Sequence, residues 1–196
     1  MTKLLTGGLA ATLALLPMAA LAHTGTGAHI DAMHGFLHPL TGLDHILAMV
    51  AVGVFAAQLG GRSVWAVPAA FVAAMVIGGA LGYFGTPLPM VEQGIALSVI
   101  VMGLAVAFGV KLPMIPAMAL VAAFAVFHGH AHGAEGSEAG SFAGYAAGFV
   151  IATSLLHAAG VGLGLLLARP GGALALNAQR LVGGVGALAG AAILMG

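Results

Sequence analysis

Six stretches, near residues 38–59, 64–84, 91–109, 112–133, 142–167 and 173–195, each approach the ~20 apolar residues that carry a helix across a bilayer. Their spacing leaves short connections and no separate soluble domain. Charged residues make up 5% of the chain against 61% hydrophobic, too few to cover a water-soluble globule. Backbone polar groups in hydrocarbon must be satisfied within their own segment, so stretches of this length form helices. The expected fold class is all-α, a polytopic membrane helix bundle with six transmembrane helices. The last span is the least regular, because Asn177, Gln179 and Arg180 interrupt it.

The N-terminus has the parts of an export signal: Lys3, an apolar run from Leu9 to Leu16, and the small-residue ending Ala20-Leu21-Ala22. Residues 1–22 are therefore expected to be a cleavable signal peptide, leaving 23–196 as the six-helix transmembrane domain. The mature cations Arg62, Lys111, Arg169 and Arg180 fall in or beside the first, third and fifth connections, while the second and fourth carry none. The positive-inside rule makes that side cytoplasmic and puts both mature termini outside. A formal net charge of zero gives no basic patch for nucleic acid. The lack of cysteine removes disulfides and thiolate metal sites.

Small residues at four-residue spacing mark where helices approach closely: Gly140, Gly144 and Gly148; Gly78 with Gly82; Gly186 with Gly190. Pro68, Pro113 and Pro116 are expected to start or bend helices rather than to carry chemistry.

Against this background, two blocks place ionisable groups at membrane depth: His38-Pro39-Leu40-Thr41-Gly42-Leu43-Asp44-His45 and Phe127-His128-Gly129-His130-Ala131-His132-Gly133-Ala134-Glu135. Such groups are costly in lipid and mark a pathway or binding site. Imidazoles with a few carboxylates suit Ni, Co, Zn or Cu ions rather than Mg or Ca. In the first block Pro39 favours a first helical position, which puts His38 at the helix cap and aligns His38, Thr41, His45 and Met49 on one face. On a regular helix His38 and His45 lie ~10 Å apart, too far to share an ion. They meet only where Pro39 and Gly42 distort the helix start; otherwise they act as successive stations, or Asp44 and His45 work with ligands from another helix. Asp44 is expected to bind metal directly or to hold a ligating imidazole in its tautomer.

In the second block His128 and His132, at i and i+4, can chelate one ion, and Glu135 at the helix exit can recruit it. His130 faces another way. His157, inside the fifth span near Thr153 and Ser154, is a candidate deeper ligand; Met49 is a weaker one. His23, His29 and His34 in the exported segment could capture metal or merely be exposed.

The whole chain resembles the HupE/UreJ family, on the His-x5-Asp-His pattern of the first span and the Phe-His-Gly-His-Ala-His-Gly-Ala-Glu block of the fourth. The resemblance implies a bacterial inner-membrane permease importing nickel, or in some members cobalt, for metalloenzymes such as hydrogenase or urease. Position by position, His38, Asp44 and His45 match the first motif, and His128, His132 and Glu135 the second; His130 falls on a variable position. The ion is then a transported substrate, with no permanently bound cofactor and no enzymatic activity. Membrane lipid is the surrounding partner, and a homo-oligomer stays open. Uptake is expected to fail as pH falls through the histidine range near ~6.5, because ligands bind deprotonated. The rival readings are a membrane haem-binding electron carrier with histidine axial ligands, an intramembrane hydrolase using Glu135 as base, and a metal sensor or chaperone.

Overall fold

The computed structural model describes residues 32–136 and 142–196. The expected signal peptide, His23, His29 and Gly140 lie outside the described residues. Those residues form seven helices: α1 (Ala32–Thr41), α2 (Leu43–Leu59), α3 (Ser63–Tyr83), α4 (Val91–Ala107), α5 (Met114–Gly136), α6 (Phe142–Ala168) and α7 (Gly172–Met195). Four of them, α3, α5, α6 and α7, are individually long and apolar enough to cross a membrane. The pair α1 and α2 passes the same test only together and is bent by 85° at its break, while α4 has 17 residues.

The bent pair corrects one sequence expectation. Pro39 does not open the first span; it lies inside α1, which begins at Ala32, and the span proper starts after Gly42. Gly42 is extended, with φ −87° and ψ 116°, and its carbonyl accepts the first α2 hydrogen bond from Ile46 N at 3.0 Å. Thr41 closes α1 by donating its hydroxyl to His38 O at 2.8 Å. A side chain on residue 42 would crowd Asp44 Oδ1 and His45 Nδ1, at 2.8 and 3.0 Å from its Cβ. Glycine therefore lets the Asp44–His45 pair fold back over the start of α2.

Large apolar side chains face outward as well as into the apolar core, and the core also encloses imidazoles. Leu155, Leu165, Ile151, Leu181 and Leu188 are exposed on the outer faces, whereas His45, His128, His132 and His157 are buried. Apolar faces outward are what lipid requires, and polar groups inward are where such groups survive it.

Helices meet through glycine. A Cβ on Gly78 or Gly82 of α3 would overlap the carbonyls of Val126 or His130 on α5, and one on Gly129 or Gly133 of α5 would overlap Met75 O or Gly79 O of α3. Backbone contact of this kind supports Cα–H···O contacts and dispersion that longer side chains would prevent. Gly53 with Gly160 joins α2 to α6, and Gly35 with Gly148 joins α1 to α6. The α7 seam is Gly183, Ala187 and Gly190 against Gly103 and Ile100 of α4, not the expected Gly186 with Gly190, since a Cβ on Gly186 would reach only Gly103 Cα at 4.0 Å. Four-residue spacing identifies a face but not which of two adjacent faces meets a partner.

The end opposite α1 holds a second polar cluster that the sequence reading missed. Gln58 Nε2 donates to Val106 O at 3.0 Å and to Gln179 Oε1 at 3.1 Å, and Lys111 Nζ donates to Gln58 O. This ties α2 to α7 and to the α4–α5 connection, and it accounts for Gln179, one of the polar residues in the first half of α7. Arg62 lies over the Trp65 ring at the same end.

Replacing Gly133 by Val should force α3 and α5 apart and cost about 1–3 kcal/mol or more. Gly184→Ala, with open space around its Cβ, should be neutral or stabilising by up to about 1 kcal/mol. Thermal unfolding of the detergent-solubilised protein compares the two; equal melting temperatures would contradict the backbone-contact account.

Candidate metal centre

Three helices converge at the α1 end. The break at Gly42 swings α1 across the top of α2, so His38 comes within 5.8 Å, ring to ring, of His45. From α5, His132 closes the group at 4.9 Å from the His38 ring and 4.7 Å from the His45 ring. One ligand nitrogen from each of His38, His45 and His132 lies within 4.8 Å of the other two. Imidazole–metal bonds of about 2.0–2.1 Å allow ligand nitrogens up to roughly 4.2 Å apart around one ion. Nitrogens within 4.8 Å would need only small inward shifts to form a three-nitrogen site, with the remaining positions left for water or a fourth ligand.

The tautomers follow from the hydrogen bonds. Asp44 Oδ1 lies 2.8 Å from both His45 N and His45 Nδ1. A carboxylate only accepts, so Nδ1 carries the hydrogen and the Nε2 lone pair is left for a metal. His45 Nε2 is buried without a hydrogen-bond partner. Asp44 also sits in the first turn of α2, where the helix dipole favours negative charge. On His38, Nε2 donates to Glu135 Oε2 at 2.9 Å, which leaves Nδ1 as its ligand atom.

His132 is fully buried, stacks on Phe149 at 5.1 Å and 14°, and has no hydrogen-bond partner at either nitrogen. An imidazole held in place by packing and left unsatisfied is costly unless something else binds it. His38 and Glu135 are partly exposed, with side-chain accessibilities of 23% and 51%, so this pair faces the mouth of the site.

His128 stands one turn deeper than His132 on α5, with its ring 4.9 Å from that of His45. Its Nε2 is 2.8 Å from Ser98 Oγ, whose hydroxyl in turn lies 2.6 Å from Ile95 O. The single serine hydrogen goes to that carbonyl, so His128 donates from Nε2 and keeps a lone pair on buried, unpartnered Nδ1. The expected His128–His132 chelate is thus arranged differently: His132 joins His38 and His45, and His128 forms the floor below them.

Other candidates fall away from the group. His130 Nε2 lies 2.7 Å from Thr86 O and ties α5 to the α3–α4 connection, in keeping with its opposite facing. Met49 is fully buried in the apolar core. His34 is exposed, with its ring 5.6 Å from Tyr145. His157 lies deeper, against Phe71. Ser98, Phe71 and Phe149 were not legible as site residues, because a serine or phenylalanine in an apolar span carries no signal until its histidine neighbour is known.

The HupE / UreJ protein family matches residues 11–193. This chain belongs to the HupE/UreJ family. It is similar to Protein HupE of Rhizobium leguminosarum bv. viciae, with 50% identity over 186 residues, covering 94% of this chain and 96% of that protein. No solved structure matches. Within this HupE/UreJ chain the three buried or half-buried imidazoles come from the two sequence blocks singled out above, His38 and His45 from one and His132 from the other.

Asp44→Asn should weaken divalent-metal binding by about 10–100-fold, because the amide no longer fixes the His45 tautomer. Gly42→Ala should weaken it less, since the flexible carboxylate can move. Equilibrium dialysis with Ni2+ ranks the two; unchanged affinity in Asp44→Asn would separate the carboxylate from the site.

Proposed function

We propose that this protein is a permease that imports a divalent transition metal, nickel first and cobalt second, across the bacterial inner membrane. The observation that carries this reading is the meeting of His38, His45 and His132, from three helices, at one end of an apolar bundle. Family membership supports nickel as the cargo, and imidazole nitrogen suits Ni2+ and Co2+. The ion is substrate, not a resident cofactor, and the maturation of a nickel enzyme such as hydrogenase or urease would consume it.

The proposed topology has six crossings, α2 to α7, with α1 folded back as a half-helix at the outer face. At 1.5 Å per residue α4 covers about 25 Å, close to a hydrocarbon core of roughly 30 Å. Arg62, Lys111 and Arg169 lie at connections on the end away from the triad, which the positive-inside rule makes cytoplasmic. The triad then faces the periplasm. Discontinuous helices of this kind recur at the substrate sites of transporters.

At the mouth, the Glu135 and Asp44 carboxylates attract the hydrated cation, and its waters exchange for His38, His45 and His132. Each imidazole is neutral when it binds, and the site keeps positions open, so the ion is held without being trapped. A haem reading loses support from the same geometry, because rings packed 4.7–5.8 Å apart leave no slot for a porphyrin between them.

Labelled Ni2+ uptake into proteoliposomes tests the proposal. His45→Ala and His132→Ala should each lower the initial rate by at least about tenfold, while His130→Ala should leave it within about twofold, because that ring bonds a loop carbonyl and not the site. Equal rates in all three and in the parent would remove the permease reading.

A further inference from the structure

Beneath the triad lies a second set of buried donors. On α6, Thr153 and His157 are one helical turn apart and both buried; on α3, Phe71 and Met75 are likewise one turn apart and buried. Thr153 Oγ1 donates to Met75 Sδ at 3.6 Å, and the His157 ring meets the Phe71 ring edge to face at 5.0 Å. Backbone closes another side, since a Cβ on Gly53 of α2 would overlap His157 O. Neither ring nitrogen of His157 has a hydrogen-bond partner, although the residue is 2% exposed. As packing alone this is poor chemistry: a phenylalanine fills the same volume without leaving polar atoms unsatisfied, each at a cost of about 1–3 kcal/mol.

The surroundings give this imidazole a direction. The Phe71 ring touches both His128, at 5.6 Å, and His157, so a single aromatic ring separates the floor of the triad from the deeper histidine. Beyond it, an open and largely apolar groove of about 640 Å³ on the outer face between α3 and α6 runs from His157 past Val72 and Pro68 to exposed Trp65, toward the cation-bearing end. His157 therefore has the His128 imidazole across the Phe71 ring on one side and borders the open groove on the other.

We propose that His157 is a second, inner metal station, with Met75 and Thr153 beside it, that receives the divalent ion past the Phe71 ring and hands it toward the cytoplasmic half. The inference rests on the permease reading and adds to it a site distinct from the triad. Two stations in series allow each to bind weakly enough to release, as conduction through successive sites requires. Rotation of Phe71 is the motion that connects them.

The test uses the full chain, with Ni2+ as the probe, in two assays: equilibrium dialysis in detergent and labelled uptake in proteoliposomes. The parent should bind about two ions per chain. His157→Ala and His157→Gln should each lose one bound ion, keep the other with affinity within about twofold, and transport at least about tenfold more slowly. His45→Ala should show the converse binding pattern, keeping the inner ion. Retention of both ions, uptake within about twofold of the parent, or joint loss of both ions in the two His157 variants would each overturn the inner station. Absence of uptake in the parent, or no effect of His45→Ala on it, would instead overturn the permease reading itself.

Discussion

The site depends on a single break in a helix. Without the 85° turn at Gly42, His38 would lie two turns above His45 on one rod, about 10 Å away and pointing into the bulk phase. With it, α1 lies across the bundle, and His38 and His45, on two helices, come within ligand range of each other and of His132 from α5. The turn is held from both sides. Gly35 and Gly148 let α1 press against α6 backbone to backbone, and the His38–Glu135 pair joins α1 to the end of α5. Removing the side chain at residue 42 is what lets Asp44 and His45 occupy the corner the turn creates.

The rest of the bundle serves to hold these elements in register. In lipid there is no hydrophobic driving force between apolar helices, so close backbone approach and a few internal hydrogen bonds must do the work. The glycine seams supply the first along α3–α5, α2–α6 and α4–α7. Gln58 supplies the second at the far end, by binding Val106 and Gln179 together. The result is a rigid frame around groups whose polar atoms are left open, the reverse of an ordinary core where every buried polar atom is paired.

The helical class, most helix boundaries and the two histidine-rich blocks were legible because each has a one-dimensional signature. Hydropathy over twenty residues needs no partner to be recognised, and neither does a histidine in an apolar run. The composition of the site was less legible because it is a three-body property. Spacing on α5 correctly set His130 apart from His128 and His132, but it could not tell which of that pair meets α2 and α1. The distance argument for His38 and His45 stated the right condition, a distortion at Pro39 or Gly42, but a sequence does not say whether a helix breaks. Phe71 and Ser98 were invisible for the same reason: their roles exist only through His128 and His157. The α7 seam shows the limit in its simplest form: Gly190 lies on it as its spacing suggested, but Gly183 and not Gly186 makes the close backbone contact with Gly103.

The division between imidazoles and carboxylates has a consequence for transport. In the proposed site the triad offers imidazole nitrogens, while Asp44 and Glu135 bond to the far nitrogens of His45 and His38. An ion bound by neutral imidazoles keeps its double charge, so a membrane potential acts on it in full, at roughly 4.6 kcal/mol per 100 mV for a divalent cation crossing inward. Direct carboxylate ligation would cancel part of that charge and deepen the well from which the ion must escape. On the proposed permease reading, acids placed one hydrogen bond behind the ligands would orient the rings and attract the cation while leaving both the driving force and the capacity for release intact.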